Sequence, residues 1–167
     1  MKILTTILLI IITLSSCSVN YSFTGADIPA EAQTISIGDF FATAPMANPQ
    51  VSLKFSNDMT SMLLTQTSLD IVNELGDLRF EGTIVGYKIT PVAIQSDTET
   101  AAKSRLTMTV NVKYTNTIEP EKSFEKKFSQ FADFAADQNL NDVEEELIDL
   151  IDETLVQDIF NASIGSW

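Results

Sequence analysis

The sequence predicts an α+β fold, in which two helices pack on one face of a four- to five-stranded sheet that is mixed but mainly antiparallel. Two segments repeat apolar residues at steps of three and four, as amphipathic helices do. Several others alternate apolar and polar residues, as half-buried strands do, and the alternation from Arg105 to Tyr114 is the most regular. A length of 167 residues fits one domain.

Residues 1–16 have the pattern of a secretory signal peptide. Lys2 precedes an almost wholly apolar run over residues 3–14, which is shorter than the roughly 20 residues of a membrane-spanning helix and is typical of a cleaved signal. The segment Leu14-Ser15-Ser16-Cys17 resembles the bacterial lipobox, whose cysteine is acylated and becomes the first mature residue. We therefore expect lipidation of Cys17; the alternative is an ordinary signal peptide with an incidental buried cysteine.

The mature chain is predicted to consist of a tether and one domain. Residues 17–31 are polar and contain a glycine and a proline, which predicts an irregular, lipidated tether. Residues 32–167 are predicted to form the domain. Ser18 stands where an acidic residue would favour the inner membrane, so we expect the outer membrane. Because no acidic or lysine-rich run follows, a domain facing the periplasm is favoured.

The first half of the domain is predicted to contain a strand over residues 34–40 and a helix after Pro49, which suits the first helical position. The helix is expected to end near Gln66. Its apolar stripe is Val51, Phe55, Met59, Met62 and Leu63. Residues 67–72 predict a short strand, and residues 73–77 predict a turn.

Two long strands are predicted next, joined by a polar connector over residues 95–102. The core face of the first is expected to carry Leu78, Phe80, Gly82, Ile84 and Gly86, with the intervening residues, among them Arg79 and Tyr87, opposite. The apolar residues of the second are Leu106, Met108, Val110, Val112 and Tyr114. Its other face carries a polar ladder of Arg105, Thr107, Thr109, Asn111 and Lys113. A further strand around residues 123–131 follows a hairpin connection.

A C-terminal helix is predicted to begin after Asn139 or Asn141, since either side chain can cap its first turn. Its apolar stripe is Val143, Leu147, Leu150, Ile151, Leu155 and Ile159. Its acidic residues, which include Asp149, Asp152 and Glu153, are expected on a solvated face. They lack the spacing of a calcium-binding loop, so no metal site is predicted.

Composition excludes several classes of function. The chain has no His and one Cys, so it has no His-based catalytic base, no internal disulfide and no thiolate zinc site. Its net charge of −13 disfavours binding to nucleic acid, which needs clustered basic residues. No pair of carboxylates has the apolar setting of an acid–base site. We therefore predict a protein that is not an enzyme and holds no cofactor.

Five segments follow the lipobox in a characteristic order and spacing. They are Tyr21–Ala26, Phe80–Tyr87, Thr90–Gln95, Arg105–Val110 and Asp158–Asn161. With these segments the mature sequence resembles the divergent branch of the LptE family, the lipopolysaccharide-assembly lipoproteins of Gram-negative outer membranes.

The resemblance implies both a function and partners. Members of the family sit as a plug inside a large outer-membrane β-barrel, the LptD-like lipopolysaccharide translocon, and help it to assemble. They are thought to bind lipopolysaccharide during its insertion in the outer leaflet. The expected partners are thus an LptD-like barrel, lipopolysaccharide and, through the lipid anchor, the membrane. The alternative is a free-standing periplasmic lipoprotein that binds a small hydrophobic ligand or another envelope partner.

Arg79, Arg105 and Lys113 are candidate contacts for the phosphates of lipid A. Charge-assisted hydrogen bonds to phosphate are strong, and the polar ladder suits the polar interior of a porin-like barrel. The simpler interpretation is a solvated sheet face. The negative net charge opposes binding of an anionic lipid, so local basic pairs or bridging divalent cations would be required.

Overall fold

Two helices and one six-stranded sheet make up the described part of the chain, residues 27–92 and 102–165 of a computed structural model. The elements in chain order are β1 (Thr34–Ile37), β2 (Phe41–Ala42), α1 (Pro49–Gln66), β3 (Asp70–Val72), β4 (Leu78–Val92), β5 (Lys103–Asn116), a 3₁₀ turn (Pro120–Lys122), β6 (Phe124–Ala135) and α2 (Leu140–Ser163). The predicted α+β class is confirmed. The lipobox, most of the predicted tether and nearly all of the polar connector lie outside the described residues.

The sheet is mixed and mainly antiparallel, as predicted, with the strand order β3-β1-β4-β5-β6. The three long strands β4, β5 and β6 form antiparallel pairs. The short strands supply the parallel part, because β1 runs parallel to both β3 and β4, and β2 runs parallel to β4. These short additions bring the number of strands to six instead of four or five.

Both helices lie on the same face of the sheet and begin where the sequence predicts. Asn48 caps α1 through a hydrogen bond from the Gln50 amide, with Pro49 at the first helical position. Asn139 rather than Asn141 caps α2, because its Oδ1 accepts from the Asn141 amide. α2 lies across β6 and β5, whereas α1 packs on α2 and on β2. No helix in the described residues is both long and apolar enough to cross a bilayer.

A β-bulge in β4 makes the predicted face of Tyr87 wrong. Ile84 pairs with Val110 while Gly86 pairs with Thr109, so Val85 is an extra residue without a counterpart on β5. Because one inserted residue reverses the alternation of side chains, the ring of Tyr87 lies in the core and is 5% exposed. Val85 is exposed, and Gly86 faces the side chain of Thr109 instead of the core.

The buried stripe of α2 is also rotated from the predicted one. Leu150 is 53% exposed, whereas Ile148, Asp152 and Val156 are buried. The reason is the second contact of this helix: Ile148 and Val156 line clefts together with α1 residues, so the buried arc covers both the sheet side and the α1 side. The expectation that Asp152 belongs to a solvated acidic face is therefore wrong.

Candidate functional site

We call the side of the sheet that points away from both helices the outer sheet face. It consists of alternate side chains of β4, β5 and β6, and cross-strand contacts connect its polar groups. These contacts are Arg105–Asp133, Thr109–Ser129, Asn111–Glu125 and Lys113–Glu81. The polar ladder predicted for β5 is therefore present, and four of its five members are paired with side chains on the neighbouring strands.

Positive charge is concentrated on the outer sheet face of an otherwise acidic protein. Register and alternation place six of the ten basic residues there: Arg79, Lys88, Lys103, Arg105, Lys113 and Lys127. The same strand positions hold three acidic residues: Glu81, Glu125 and Asp133. The face thus has a formal charge of +3, whereas the whole chain has a net charge of −13.

Arg105 is held in place by two neighbours on β6. Its Nε and Nη2 donate to the two carboxylate oxygens of Asp133 at 2.7 and 3.0 Å, which is a bidentate pair. The guanidinium also lies 3.6 Å from the ring centroid of Phe131, whose side chain is 50% exposed. The hydrogen bond raises the pKa of Arg105 and lowers the pKa of Asp133. A fixed cation therefore lies against an accessible aromatic ring.

Lys113 and Arg79 lie near each other, far from Arg105. Lys113 Nζ is 3.3 Å from Glu81 Oε2, and both side chains are more than half exposed. Arg79 pairs with Thr115, so it is the next outward-facing residue on β4 beside the Lys113–Glu81 pair. Its Nε donates to the Gly76 carbonyl at 2.8 Å. Eight residues separate Arg105 from Lys113 along β5, which is about 26 Å. The structure therefore brings two of the three predicted contacts together.

A cleft of about 370 Å³ opens beside Lys113 at the β2 side of the outer sheet face. The exposed ring of Phe41 lines it together with Lys113, Glu81 and Asp39. A basic side chain and an exposed aromatic ring thus occur side by side here, as they do at Arg105 and Phe131. Glu125 also lines the cleft, which therefore holds three carboxylates and one lysine. The Arg105–Phe131 pair is the better match for a ligand that combines anionic and apolar groups.

Sequence reasoning missed three basic residues of the outer sheet face: Lys88, Lys103 and Lys127. Lys88 was hidden by the bulge, since unbroken alternation would have placed it on the core face. Lys127 and Lys103 could have been found by following the alternation along the whole of β6 and back to the start of β5. No three His, Cys, Asp or Glu side chains in residues 27–92 and 102–165 are grouped as a metal site would require.

The N-terminal end of the described chain is fixed between the β5–β6 connection and the end of α2. The Asp27 amide donates to the Ile164 carbonyl at 2.6 Å, and Lys122 Nζ lies 2.9 Å from Asp27 Oδ2. Glu119 contacts the same ammonium at 2.9 Å, and the hydrogen bonds that Lys122 donates to Glu119 and Asp27 raise its pKa. These contacts define the end of the domain at which the preceding chain enters.

Comparison with known proteins finds one matching family model and several structures of similar fold. A family model described as "LptE: Lipopolysaccharide-assembly" matches residues 32–163. Lipoprotein B of Nitrosomonas europaea is similar in structure with a TM-score of 0.52 and 15% identity, over 86% of this chain and 88% of that one. A minor lipoprotein of Acinetobacter baumannii has a TM-score of 0.50 and 11% identity, over 78% and 91%.

The hypothetical protein CT253 of Chlamydia trachomatis has a TM-score of 0.52 and 10% identity, over 79% of this chain and 98% of that one. At these identities the three structures show a shared fold alone. None of the curated proteins compared matches the chain.

Proposed function

The chain belongs to the LptE family of lipopolysaccharide-assembly proteins, and on that premise we propose that it is an outer-membrane lipoprotein without enzymatic activity. In this proposal it is anchored through Cys17, plugs and helps to assemble an LptD-like β-barrel, and supports the insertion of lipopolysaccharide in the outer leaflet. The observation that carries the proposal is the +3 charge of the outer sheet face in a chain of net charge −13.

The charge distribution addresses the main physical objection to binding an anionic lipid. Because exposed charges interact over only about a Debye length, roughly 8 Å at physiological ionic strength, a ligand at the sheet responds to the local charge more than to the total. The acidic residues of α2 lie on the opposite side of the sheet. Phosphates of lipid A would therefore meet Arg79, Arg105 and Lys113 without facing that acidic surface.

Of the two candidate contacts that form ion pairs on this face, Lys113 can change partner more easily than Arg105. Its pair with Glu81 is exposed on both sides, and such surface pairs contribute about 1 kcal/mol or less. A phosphate with several acceptor oxygens can replace that carboxylate, and Arg79 lies near enough to share it. Arg105 has guanidinium donors beyond the two that Asp133 occupies. We propose that it binds a separate phosphate while Phe131 contacts acyl chains.

The polar character of the outer sheet face and the short tether are compatible with a plug inside a barrel. Porin-like barrels have polar interiors, and the face presents charged and hydroxyl groups along its length. If Cys17 is acylated, Asp27 lies ten residues from the anchor, a distance of at most about 35 Å. The end of the domain that carries Asp27 and Lys122 would then be near the periplasmic leaflet.

Neighbouring lysines on β6 provide a matched test for lipopolysaccharide binding. Lys127 points from the outer sheet face, whereas Lys126 lies next to the ring of Phe128, which belongs to the core. The detergent-solubilised full protein would be titrated with purified lipopolysaccharide in three forms: Lys127→Gln, Lys126→Gln and the double variant Arg105→Gln/Lys113→Gln. Hydrogen bonds to charged groups contribute about 1.5–3 kcal/mol each, so we expect the double variant to bind about tenfold more weakly or worse.

The proposal predicts that Lys127→Gln weakens binding and that Lys126→Gln does not. Lipopolysaccharide whose lipid A phosphates have been removed should bind the wild-type protein as weakly as intact lipopolysaccharide binds the double variant. Equal affinity of all three variants and the wild type would refute the role of the outer sheet face. Preferential binding of an uncharged hydrophobic ligand would favour the alternative of a free-standing lipoprotein.

A further inference from the structure

The contact between α1 and α2 contains a buried carboxyl group that accepts no hydrogen bond from the described residues. Asp152, on the α1 side of α2, is 0% exposed, and neither of its side-chain oxygens has a partner there. The Nζ of Lys54 is 4.0 Å from Asp152 Oδ2, which is longer than a hydrogen bond. A buried polar group in this state is rare in folded proteins and calls for a physical explanation.

Lys54 does not neutralise Asp152, because two other carboxylates already hold its ammonium. Lys54 Nζ lies 2.6 Å from Asp58 Oδ2 and 2.8 Å from Asp149 Oδ1. Desolvation alone would lower the pKa of Lys54, but hydrogen bonds to Asp149 and Asp58 raise it above its ordinary value. One permanent positive charge therefore faces three carboxyl groups.

The other charged and titratable groups around this contact add further negative charge. Two clefts flank Lys54, one lined by Glu144 and Glu145 and the other by Glu153. On the sheet side, the hydroxyl of Tyr87 in β4 donates to Glu144. Burial is the larger cause and this hydrogen bond the second cause that raise the pKa of Tyr87. Among the residues lining the two clefts, Lys54 is the only basic one. These surroundings do not favour an ionised Asp152.

Protonation of Asp152 explains how its carboxyl group can be buried without hydrogen-bond donors. An ionised carboxylate that is buried without donors is strongly unfavourable, whereas a carboxylic acid has an O–H group to donate. Asp58 can accept that proton, because Asp58 Oδ2 and Asp152 Oδ2 lie 2.6 and 4.0 Å from the same Lys54 ammonium. Burial, opposed in part by Lys54, raises the pKa of Asp152 to about 8.

We infer that the stability of the α1–α2 contact depends on a proton at Asp152. A neutral Asp152 donates to Asp58 and stabilises the contact, and release of that proton to solvent loosens it. Of the elements that contact α1, α2 makes the larger contact and the two-residue strand β2 the smaller one. Opening would therefore move α1 while α2 remains packed on β5 and β6. The inference concerns the helix layer and does not depend on lipopolysaccharide binding at the outer sheet face.

The sign of the effect on stability follows from the raised pKa. The folded protein binds a proton at Asp152 more tightly than the unfolded chain does, so stability is greatest at low pH for this group and falls as pH rises from about 4 to about 8. The full protein in non-ionic detergent would be unfolded thermally at pH values from 5 to 9. We expect the midpoint to fall steadily up to about pH 8 and then level off.

Asp152→Asn keeps a neutral group of similar shape, and we expect it to abolish this slope, so that the variant is the more stable protein at pH 9. Asp137→Asn is the matched control, because Asp137 is an exposed aspartate in the turn before α2, and it should retain the wild-type slope. Asp58→Asn removes a negative charge that raises the pKa of Asp152 and adds an N–H donor beside it. The pKa of Asp152 should therefore fall, and the slope should end at a lower pH than in the wild type.

Carboxyl NMR of the wild-type protein tests the same inference if a variant fails to fold. The Asp152 carbon should titrate near pH 8, and amide exchange in α1, corrected for its intrinsic pH dependence, should accelerate above that pH while exchange in β5 does not. Titration below pH 5, an unchanged slope in Asp152→Asn, or titration without faster exchange in α1 would each overturn the inference.

Discussion

Replacing Gly82 with alanine tests the packing of the sheet against the segment between β1 and β2. A Cβ at position 82 would overlap Phe40 Cε1 and would lie 2.8 Å from Phe40 Cδ1 and 2.7 Å from the Asn111 carbonyl oxygen. The ring of Phe40 is buried and packs edge-on against Phe55, with 4.9 Å between centroids. The carbonyl belongs to the backbone of β5, which is paired with β4. Neither neighbour can move away freely.

The size of the effect follows from these two contacts. Overpacking of a core typically costs about 1–3 kcal/mol, and the gain from replacing glycine in a strand offsets about 0.5–1 kcal/mol of that. We expect Gly82→Ala to lower the free energy of unfolding by about 1–2 kcal/mol. For a domain of this size the melting temperature, measured by circular dichroism, should fall by about 2–8 °C.

Gly38→Ala is the matched control for this variant. Its added Cβ would have its nearest neighbours at 3.5 Å, which is ordinary contact, so stability should change by less than about 0.5 kcal/mol. The double variant Gly82→Ala/Phe40→Leu should recover part of the loss, since leucine has no ring edge at the clash. Equal melting temperatures for Gly82→Ala and Gly38→Ala would refute the described packing at Gly82.

Three further predictions concern α2 and the anchor. Leu155→Ala, at a fully buried position, should cost about 2–5 kcal/mol in urea unfolding, whereas Leu150→Ala should cost under about 0.5 kcal/mol; the reverse order would mean that the stripe of α2 faces elsewhere. Asn139→Ala should cost about 1 kcal/mol by loss of the cap, and a larger loss in Asn141→Ala would contradict the assigned cap. Cys17→Ser should abolish labelling with palmitate and release the protein from membranes, and unchanged membrane attachment would show that the anchor is not there.

Local signals made the helix boundaries predictable from the sequence. Pro49 combines a fixed φ with a missing N–H, and both suit the first helical position. Asn139 precedes the acidic first turn at the position of a cap. These effects act within a few residues, so no knowledge of the rest of the chain is needed. α1 accordingly spans Pro49–Gln66 as predicted.

The faces of the elements depend on tertiary contacts, and there the sequence was less informative. A bulge at Val85 moves Tyr87 into the core and Lys88 onto the outer sheet face. Its trace in the sequence is a change of phase, because the next apolar residues after Val85 are Tyr87 and Ile89 and the polar one between them is Lys88. The rotation of α2, which buries Asp152 and exposes Leu150, follows from its contact with α1. The apolar stripe predicted for α2 assumed that the helix packs on the sheet only, so it did not include the contact with α1.

For the predicted phosphate contacts, the sequence predicted the face correctly but not the partners. The regular alternation of β5 placed Arg105 and Lys113 on the outer sheet face, because no bulge interrupts their strand. Their carboxylate partners depend on register with β4 and β6, which sequence alternation does not specify. The concentration of basic residues on this face therefore became visible only when the strands were paired.

Purification of the intact protein from membranes tests the central claim most directly. The full chain, tagged at its C-terminus and extracted in mild detergent, would be isolated under native conditions and its partners identified by mass spectrometry. The proposal predicts a lipidated protein in a stable complex with a large outer-membrane β-barrel. Recovery of the protein alone, from cells that contain such a barrel and under conditions that preserve other membrane complexes, would contradict it.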